Sequence, residues 1–279
     1  MKRLAVIGHP VAHSRSPAMQ NAALRELGLD GDWSYEAIEM PPADFAQLTR
    51  ALPAEGFVGA NVTIPHKEAA LALADSASAA ATEIGAANTL SFDGGEIRAE
   101  NTDAPGLLES LGKPPSGKRA LVLGAGGSAR AAAWALAGQG AMVEVWNRTG
   151  ERADELVRHL GRTLTASGEE VPNLTAVSAG QARAAGYALI VNCTAVGLDP
   201  GDDPFAELPL APGRLGRGVT VVDLVYGGEP TRLAALAGER GANVVDGLEV
   251  LVRQGAASLR IWTGMEPPLD AMREAARAG

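Results

Sequence analysis

The stretch RALVLGAGGSARAAAWALAGQGAMVEVWNRT, residues 119–149, decides the fold. It opens with an apolar run, RALVL (119–123), that reads as a strand buried on both faces. A glycine-rich turn, GAGGSAR, follows at once, then the alanine-rich helical stretch AAAWALAGQ and a second strand at 142–147. Strand, tight turn, helix and strand in that order form a βαβ unit, and two such strands lie parallel. Gly124, Gly126 and Gly127 occupy the turn itself. Glycines there let the backbone approach a pyrophosphate, while the helix N-terminus adds free N–H groups and a favourable dipole. The spacing departs from G-x-G-x-x-G at its last position, where Ala129 stands beside Ser128. An ordinary tight βα turn is the other reading of such a stretch, and the flanking strands weigh against it.

The residue that ends the second strand selects the dinucleotide. An acid there would bind a ribose 2′-hydroxyl and repel a 2′-phosphate. Here the chain reads Asn147-Arg148-Thr149, with Arg152 three residues on. Arg148 offers a planar cationic fork suited to phosphate, and Thr149 adds a hydroxyl donor. NADP is expected in preference to NAD.

Working outward, further strands are expected near 174–177, 188–192, 219–223 and 242–245, which extends the unit into a doubly wound parallel sheet. Upstream, the strands 3–7, 33–39, 57–63, 88–92 and 96–100 alternate with helices beginning near Pro17, Pro42, Pro65 and Asp103. The chain punctuates itself at LGKPPSGK (111–118). The fold class is therefore α/β with two domains. An N-terminal α/β domain covers 1–104, completed by C-terminal helices in 247–279, and a Rossmann-type domain covers 105–246.

The 279 residues carry a formal net charge of −9, with 46% hydrophobic and 20% charged residues. That composition is globular and lacks the basic footprint of a nucleic-acid surface. No apolar run approaches the ~20 residues of a membrane helix, and none completes a signal peptide, so no membrane partner and a cytoplasmic location are expected. Cys193 is the single cysteine, and the four histidines show no metal-ligand spacing. No metal is expected.

In the first domain, polar residues gather at strand ends and loops, where a rigid sheet can aim them. Ser14 and Ser16 sit in VAHSRSPAM (11–19), Thr63 and Lys67 in NVTIPHK (61–67), Asn88 in AANTL (86–90) and Asp103 in ENTDAPG (100–106). Each has a plain structural reading as well. Ser16 before Pro17 and Asp103 before APGLLESL suit helix N-caps, and Lys67 alone would be a surface lysine.

Taken together, GHPVAHSRSP, NVTIPHK, GAANTL, NTDAPG, GAGGSAR, NRT and GLEVLVRQGA, in this order and over nearly the whole chain, resemble the shikimate dehydrogenase family. The resemblance implies reversible reduction of 3-dehydroshikimate to shikimate with NADPH, in the pathway to aromatic amino acids, by a monomer or homodimer. It implies that the first domain binds substrate. Lys67 and Asp103 would be the catalytic pair, Ser14 and Ser16 would hold the substrate carboxylate, and Thr63, Asn88, Tyr226 and Gln254 would surround its remainder. The cofactor would fall to Gly124, Gly126, Gly127, Ser128, Ala129, Asn147, Arg148, Thr149 and Arg152, with Gly247 at the nicotinamide end.

Departures from the family pattern are Gln20 for a histidine, Ala195 and Leu198 for serine and methionine, and YGGEPT without its proline. Two other readings stay open on sequence: a quinate or shikimate dehydrogenase of broader specificity using NAD, and a non-catalytic NADP-binding sensor. The sensor would have no need to keep Lys67 and Asp103 together.

Overall fold

A computed structural model describes residues 1–166, 173–199 and 201–278. The chain divides into two compact units, Met1–Gly106 with Leu251–Gly279, and Leu107–Val250.

The first unit is built on a six-stranded mixed sheet. Its strands are β1 (Lys2–Gly8), β2 (Trp33–Glu39), β3 (Phe57–Val62), β4 (Ser76–Ala77), β5 (Thr89–Asp93) and β6 (Glu96–Glu100), in the order β2-β1-β3-β5-β6-β4. β1 runs parallel to β2 and β3, whereas β5 runs antiparallel to both β3 and β6. The start of β5 therefore lies at the edge where β1, β3 and β6 end. Thr63, Lys67, Asn88 and Asp103 all lie on segments that enter or leave the sheet at that edge. Between the strands run α1 (Ser16–Glu26), α2 (Phe45–Ala51), α3 (Lys67–Leu73) and α4 (Ala79–Ile84).

The helix expected near Pro42 begins instead at Phe45, because residues 41–44 close a turn in which Asp44 N–H donates to Pro41 O at 3.0 Å. α4 carries its own signals: Ser78 accepts from Ala81 N–H at one end, and Gly85 terminates the other with φ 76°. Ile7, Phe57, Val62 and Leu90 form the centre of the unit's core.

α5 (Asp103–Leu111) begins in the first unit and continues into the second. There β7 (Arg119–Leu123), β8 (Met142–Trp146), β9 (Leu174–Ala176), β10 (Leu189–Asn192), β11 (Thr220–Asp223) and β12 (Asn243–Asp246) form a second six-stranded sheet. Its order is β12-β11-β10-β7-β8-β9 and every pair is parallel. The order reverses between β7 and β10, and ligands of such sheets bind beyond the strand ends at that point.

Around the sheet run α6 (Gly127–Gly138), α7 (Gly150–Ala166), α8 (Ala179–Ala184), α9 (Pro204–Glu207) and α10 (Arg232–Glu239). α6 buries Ala129, Ala131, Ala132, Ala133, Ala135 and Leu136. Small side chains on nearly every face let this helix lie close to the strands. α11 (Gly247–Thr263) returns the chain to the first unit, and α12 (Leu269–Ala278) packs there against α1. Among the described residues, no helix is long and apolar enough to cross a membrane.

Candidate active site

Lys67 is the first residue of α3. The turn before it is closed by His66 N–H donating to Thr63 O at 3.0 Å. His66 is buried, stacks on Phe45 with centroids 4.3 Å apart, and its Nε2 lies 2.6 Å from the Met40 carbonyl. A carbonyl only accepts, so that nitrogen carries a proton. The lysine backbone is fixed in turn by Ala87 N–H, which donates to Lys67 O at 2.9 Å. From this anchored position Lys67 Nζ reaches Asp103 Oδ2 at 2.5 Å, with the two side chains 11% and 15% exposed.

Asp103 is not the cap of α5. Asn101 Oδ1 accepts from Ala104 N–H and fills that place, so both carboxylate oxygens of Asp103 serve side chains. Asn88 Nδ2 donates to Asp103 Oδ1 at 2.9 Å and stands 3.0 Å from Gln254 Oε1. The N-cap reading of Ser16 fails likewise. Ser16 is the first residue of α1, and Ser14 Oγ accepts its backbone N–H at 3.2 Å. Ser14 keeps its hydroxyl proton, and Ser16 Oγ has no hydrogen-bond partner among the described residues.

The loop carrying these serines leaves β1 and is tied down by Glu39, which pairs with His9 at 2.6 Å and accepts Val11 N–H at 3.0 Å. Thr63 follows β3, the neighbour of β1, and its N–H donates to Ile7 O. A Cβ on Gly8 would stand 2.3 Å from Thr63 Cγ2, so that close approach requires glycine. Gln20, buried in α1, donates from Nε2 to Gly255 O at 2.9 Å and so joins α1 to α11. The first unit thus brings Lys67, Asp103, Asn88 and Gln254 into one bonded group, with Ser14 and Thr63 on loops leaving the same sheet edge and Ser16 at the start of α1.

In the second unit the glycine-rich turn offers backbone groups, and side chains enter beyond β8. Gly124 N–H donates to Trp146 O at 2.8 Å. Its φ of +109° would strain any other residue, and a Cβ there would stand a tight 3.2 Å from Cys193 O. Gly126 is the N-cap of α6, and a Cβ there would meet nothing within 4 Å. Its missing side chain is not required by packing. It leaves open the approach to the first N–H groups of α6, over Gly127, Ser128 and Ala129, which an α-helix does not use internally. Asn147 folds back to Thr149 O at 2.9 Å, while Arg148, Thr149 and Arg152 are exposed beyond β8. An anion of the pyrophosphate kind, with a further phosphate near Arg148, fits this arrangement.

Tyr226 also belongs to the second unit, on the segment between β11 and α10. That segment is held by Asp223, whose carboxylate accepts from Asn192 Nδ2 at 2.9 Å, Thr231 Oγ1 at 2.5 Å and Val225 N–H at 3.2 Å. Burial pushes the Asp223 carboxyl up from the ordinary carboxylate range, against the pull of these three donors. Sequence reading did not single out Asp223 or Asn192. A lone polar residue at the end of each of two apolar strands was the available signal. Gly247 packs against the end of β11, where a Cβ would lie 2.6 Å from Asp223 O.

Three family models match the chain. They are the shikimate dehydrogenase substrate binding domain over residues 6–90, the shikimate/quinate 5-dehydrogenase model over 107–177 and the shikimate 5′-dehydrogenase C-terminal domain over 247–277. The NADP(+) shikimate dehydrogenase of Thermus thermophilus is 47% identical, over 99% of this chain and 98% of that protein. Among solved structures, a Thermus thermophilus shikimate 5-dehydrogenase in complex with NADP(H) and shikimate superposes with a TM-score of 0.85 at 43% identity, covering 100% and 99% of the two chains. The Aquifex aeolicus enzyme gives 0.87 at 36% identity, covering 99% and 98%. Identity of this extent, over nearly the whole length of both chains, makes the chain a member of the shikimate dehydrogenase family.

Proposed function

We propose that the chain catalyses the reversible, NADP-dependent interconversion of shikimate and 3-dehydroshikimate, a step toward aromatic amino acids. The observation that carries this reading is the Lys67–Asp103 contact of 2.5 Å at the sheet edge of the first unit. Its near relatives are named for the same reaction, and one binds both NADP(H) and shikimate.

Oxidising a secondary alcohol removes two electrons with one hydrogen from carbon and one proton from oxygen. When bound, NADP supplies the two-electron acceptor, so the protein must handle the proton. Lys67 takes it from the hydroxyl as the neutral amine and returns it as the ammonium in the reducing direction. Asp103 aims the amine through Oδ2 and is itself aimed through Oδ1 by Asn88. In the reducing direction the Lys67 ammonium also stabilises the negative charge that develops on the substrate oxygen.

Ser14 and Ser16 hold the substrate carboxylate with neutral donors, which leaves Lys67 as the cation at the reacting oxygen. Thr63, Asn88 and Gln254 serve the ring hydroxyls, and the assignment of Tyr226 rests on its motif. Gly124, Gly126, Gly127, Ser128 and Ala129 receive the pyrophosphate. Asn147, Arg148, Thr149 and Arg152 receive the adenosine end with its 2′-phosphate. Gly247 lies at the nicotinamide end. The first unit is thus the substrate domain and the second the cofactor domain, in a cytoplasmic enzyme whose partners are small molecules.

The test is NADPH formation from shikimate and NADP, followed at the nicotinamide absorbance, with quinate and NAD as alternatives. Turnover with shikimate and NADP well above the other combinations is expected. Tight NADP binding without turnover of any substrate would replace the enzyme with the sensor reading. Ser14→Ala sharpens the assignment: loss of one donor to a carboxylate raises the Michaelis constant for shikimate about tenfold with kcat little changed.

A further inference from the structure

In contact with Asn88 lies a set of buried polar groups to which the proposed reaction assigns no role. Thr89 and Ser258 are fully buried, Thr102 is 3% exposed and Asn61 5%. Their hydroxyls form a triangle, with Thr89 to Ser258 at 2.8 Å, Thr102 to Ser258 at 3.0 Å and Thr89 to Thr102 at 3.1 Å. Asn61 Nδ2 donates to Ser258 Oγ at 2.8 Å, and Tyr35 OH donates to Asn61 Oδ1 at 2.8 Å. Ser258 sits one helical turn beyond Gln254 on α11 and donates to Gln254 O at 3.0 Å. One helix face therefore delivers both a site residue and the hub of the polar set.

The proton inventory gives the set a direction. Thr102 N–H donates to Asn88 Oδ1 at 2.7 Å, which fixes which end of the carboxamide is oxygen. Asn88 Nδ2 then has two protons and three acceptors in reach, namely Thr102 Oγ1, Asp103 Oδ1 and Gln254 Oε1. Ser258 gives its proton to Gln254 O and one lone pair to Asn61, so its remaining lone pair draws a proton from Thr89 or Thr102. Both threonine hydroxyls also lie within reach of Asn88 Oδ1, Thr102 Oγ1 at 3.2 Å and Thr89 Oγ1 at 3.3 Å, so the Ser258 lone pair draws one of them off. Without it, both compete for that oxygen with Thr102 N–H. A buried network with every member satisfied holds one arrangement, and one missing a member does not.

We propose that Ser258, with Thr89, is a positioning residue. It fixes the Asn88 carboxamide so that Nδ2 is presented to Asp103 Oδ1, and thereby leaves Oδ2 to Lys67. The proposal rests on the reading of Lys67 and Asp103 as the catalytic pair.

The test uses the full chain as Ser258→Ala, Thr89→Val and Thr89→Ser, with kcat and KM for shikimate expressed per folded molecule. The Asn88 side-chain amide resonances are followed by NMR in the free protein. Ser258→Ala and Thr89→Val are expected to lower kcat about tenfold with KM within about threefold, whereas Thr89→Ser, which keeps the hydroxyl, stays near the parent. The Asn88 amide protons should shift and exchange faster in the two hydroxyl-free variants only. Unchanged kcat and resonances, or a loss that Thr89→Ser fails to rescue, overturns the proposal. If Ser258→Ala does not fold, the Thr89 pair decides alone. If the parent itself turns over no shikimate, the reading of the activity falls while the resonances still decide the positioning.

Discussion

The two candidate sites are built by opposite means. In the first unit, side chains from segments far apart in sequence converge, and Asn88 meets Gln254 across 166 positions. In the second, a contiguous run from Gly124 to Ala129 offers its backbone, and the useful side chains there are the absent ones. The first should fail when atoms are removed and the second when atoms are added.

The largest effect expected from that contrast is on Lys67. Lys67→Ala should lower kcat by about 10²–10⁴, the usual weight of a general acid–base group. NADPH binding, measured by fluorescence, should stay within about threefold of the parent. A matching loss of cofactor affinity would mean that the two sites are not separable in this way.

Next comes Gly126→Val. The added side chain enters open space, so the melting temperature should hold while NADP affinity falls about tenfold or more, ~1.4 kcal/mol. Equal affinity would show that the approach to α6 is not where the pyrophosphate lies.

The smallest effect concerns Asp223. Its folded-state carboxyl is raised by burial above its unfolded value, so its protonated form stabilises the native state below the ordinary carboxylate range. That contribution is lost as pH rises from there through the folded value. Asp223→Asn cannot ionise, so its stability relative to the parent should improve as pH is raised from about 4 to 7. A stability difference independent of pH would contradict the assignment of burial as the dominant cause.

The same contrast governs how much the sequence disclosed. The second site is local, and Gly124, Gly126 and the missing acid after β8 could be read directly from 119–149, because turn geometry and helix dipoles act over a few residues. The parallel sheet of the second unit followed from the same periodicity, whereas its strand order came only with the structure. The first site was legible only as separate motifs.

Nothing local distinguishes Asp103 as a capping residue from Asp103 as a lysine partner. The deciding fact is that Asn101, two residues earlier, takes the cap. In α1 the N-cap position falls to Arg15, and Ser16 is already helical, with its N–H donated to Ser14 Oγ. Ser258 and Thr89 gave no signal at all, since a small hydroxyl in a helix or strand is unremarkable until its partner 169 positions away is known. The start of α2 was misplaced because Pro42 suits both a first helical turn and the tight turn that residues 41–44 form.

The central claim is that an amine and a carboxylate in direct contact act as one device, and a double-mutant cycle tests it most directly. Rates of shikimate oxidation are compared for the parent, Lys67→Ala, Asp103→Ala and the double variant. Groups that work as a unit give non-additive losses, so the double variant should be no slower than the slower single one, within about threefold. Losses that multiply would mean that Lys67 and Asp103 contribute independently, and the pair would not be the proton-handling device described here.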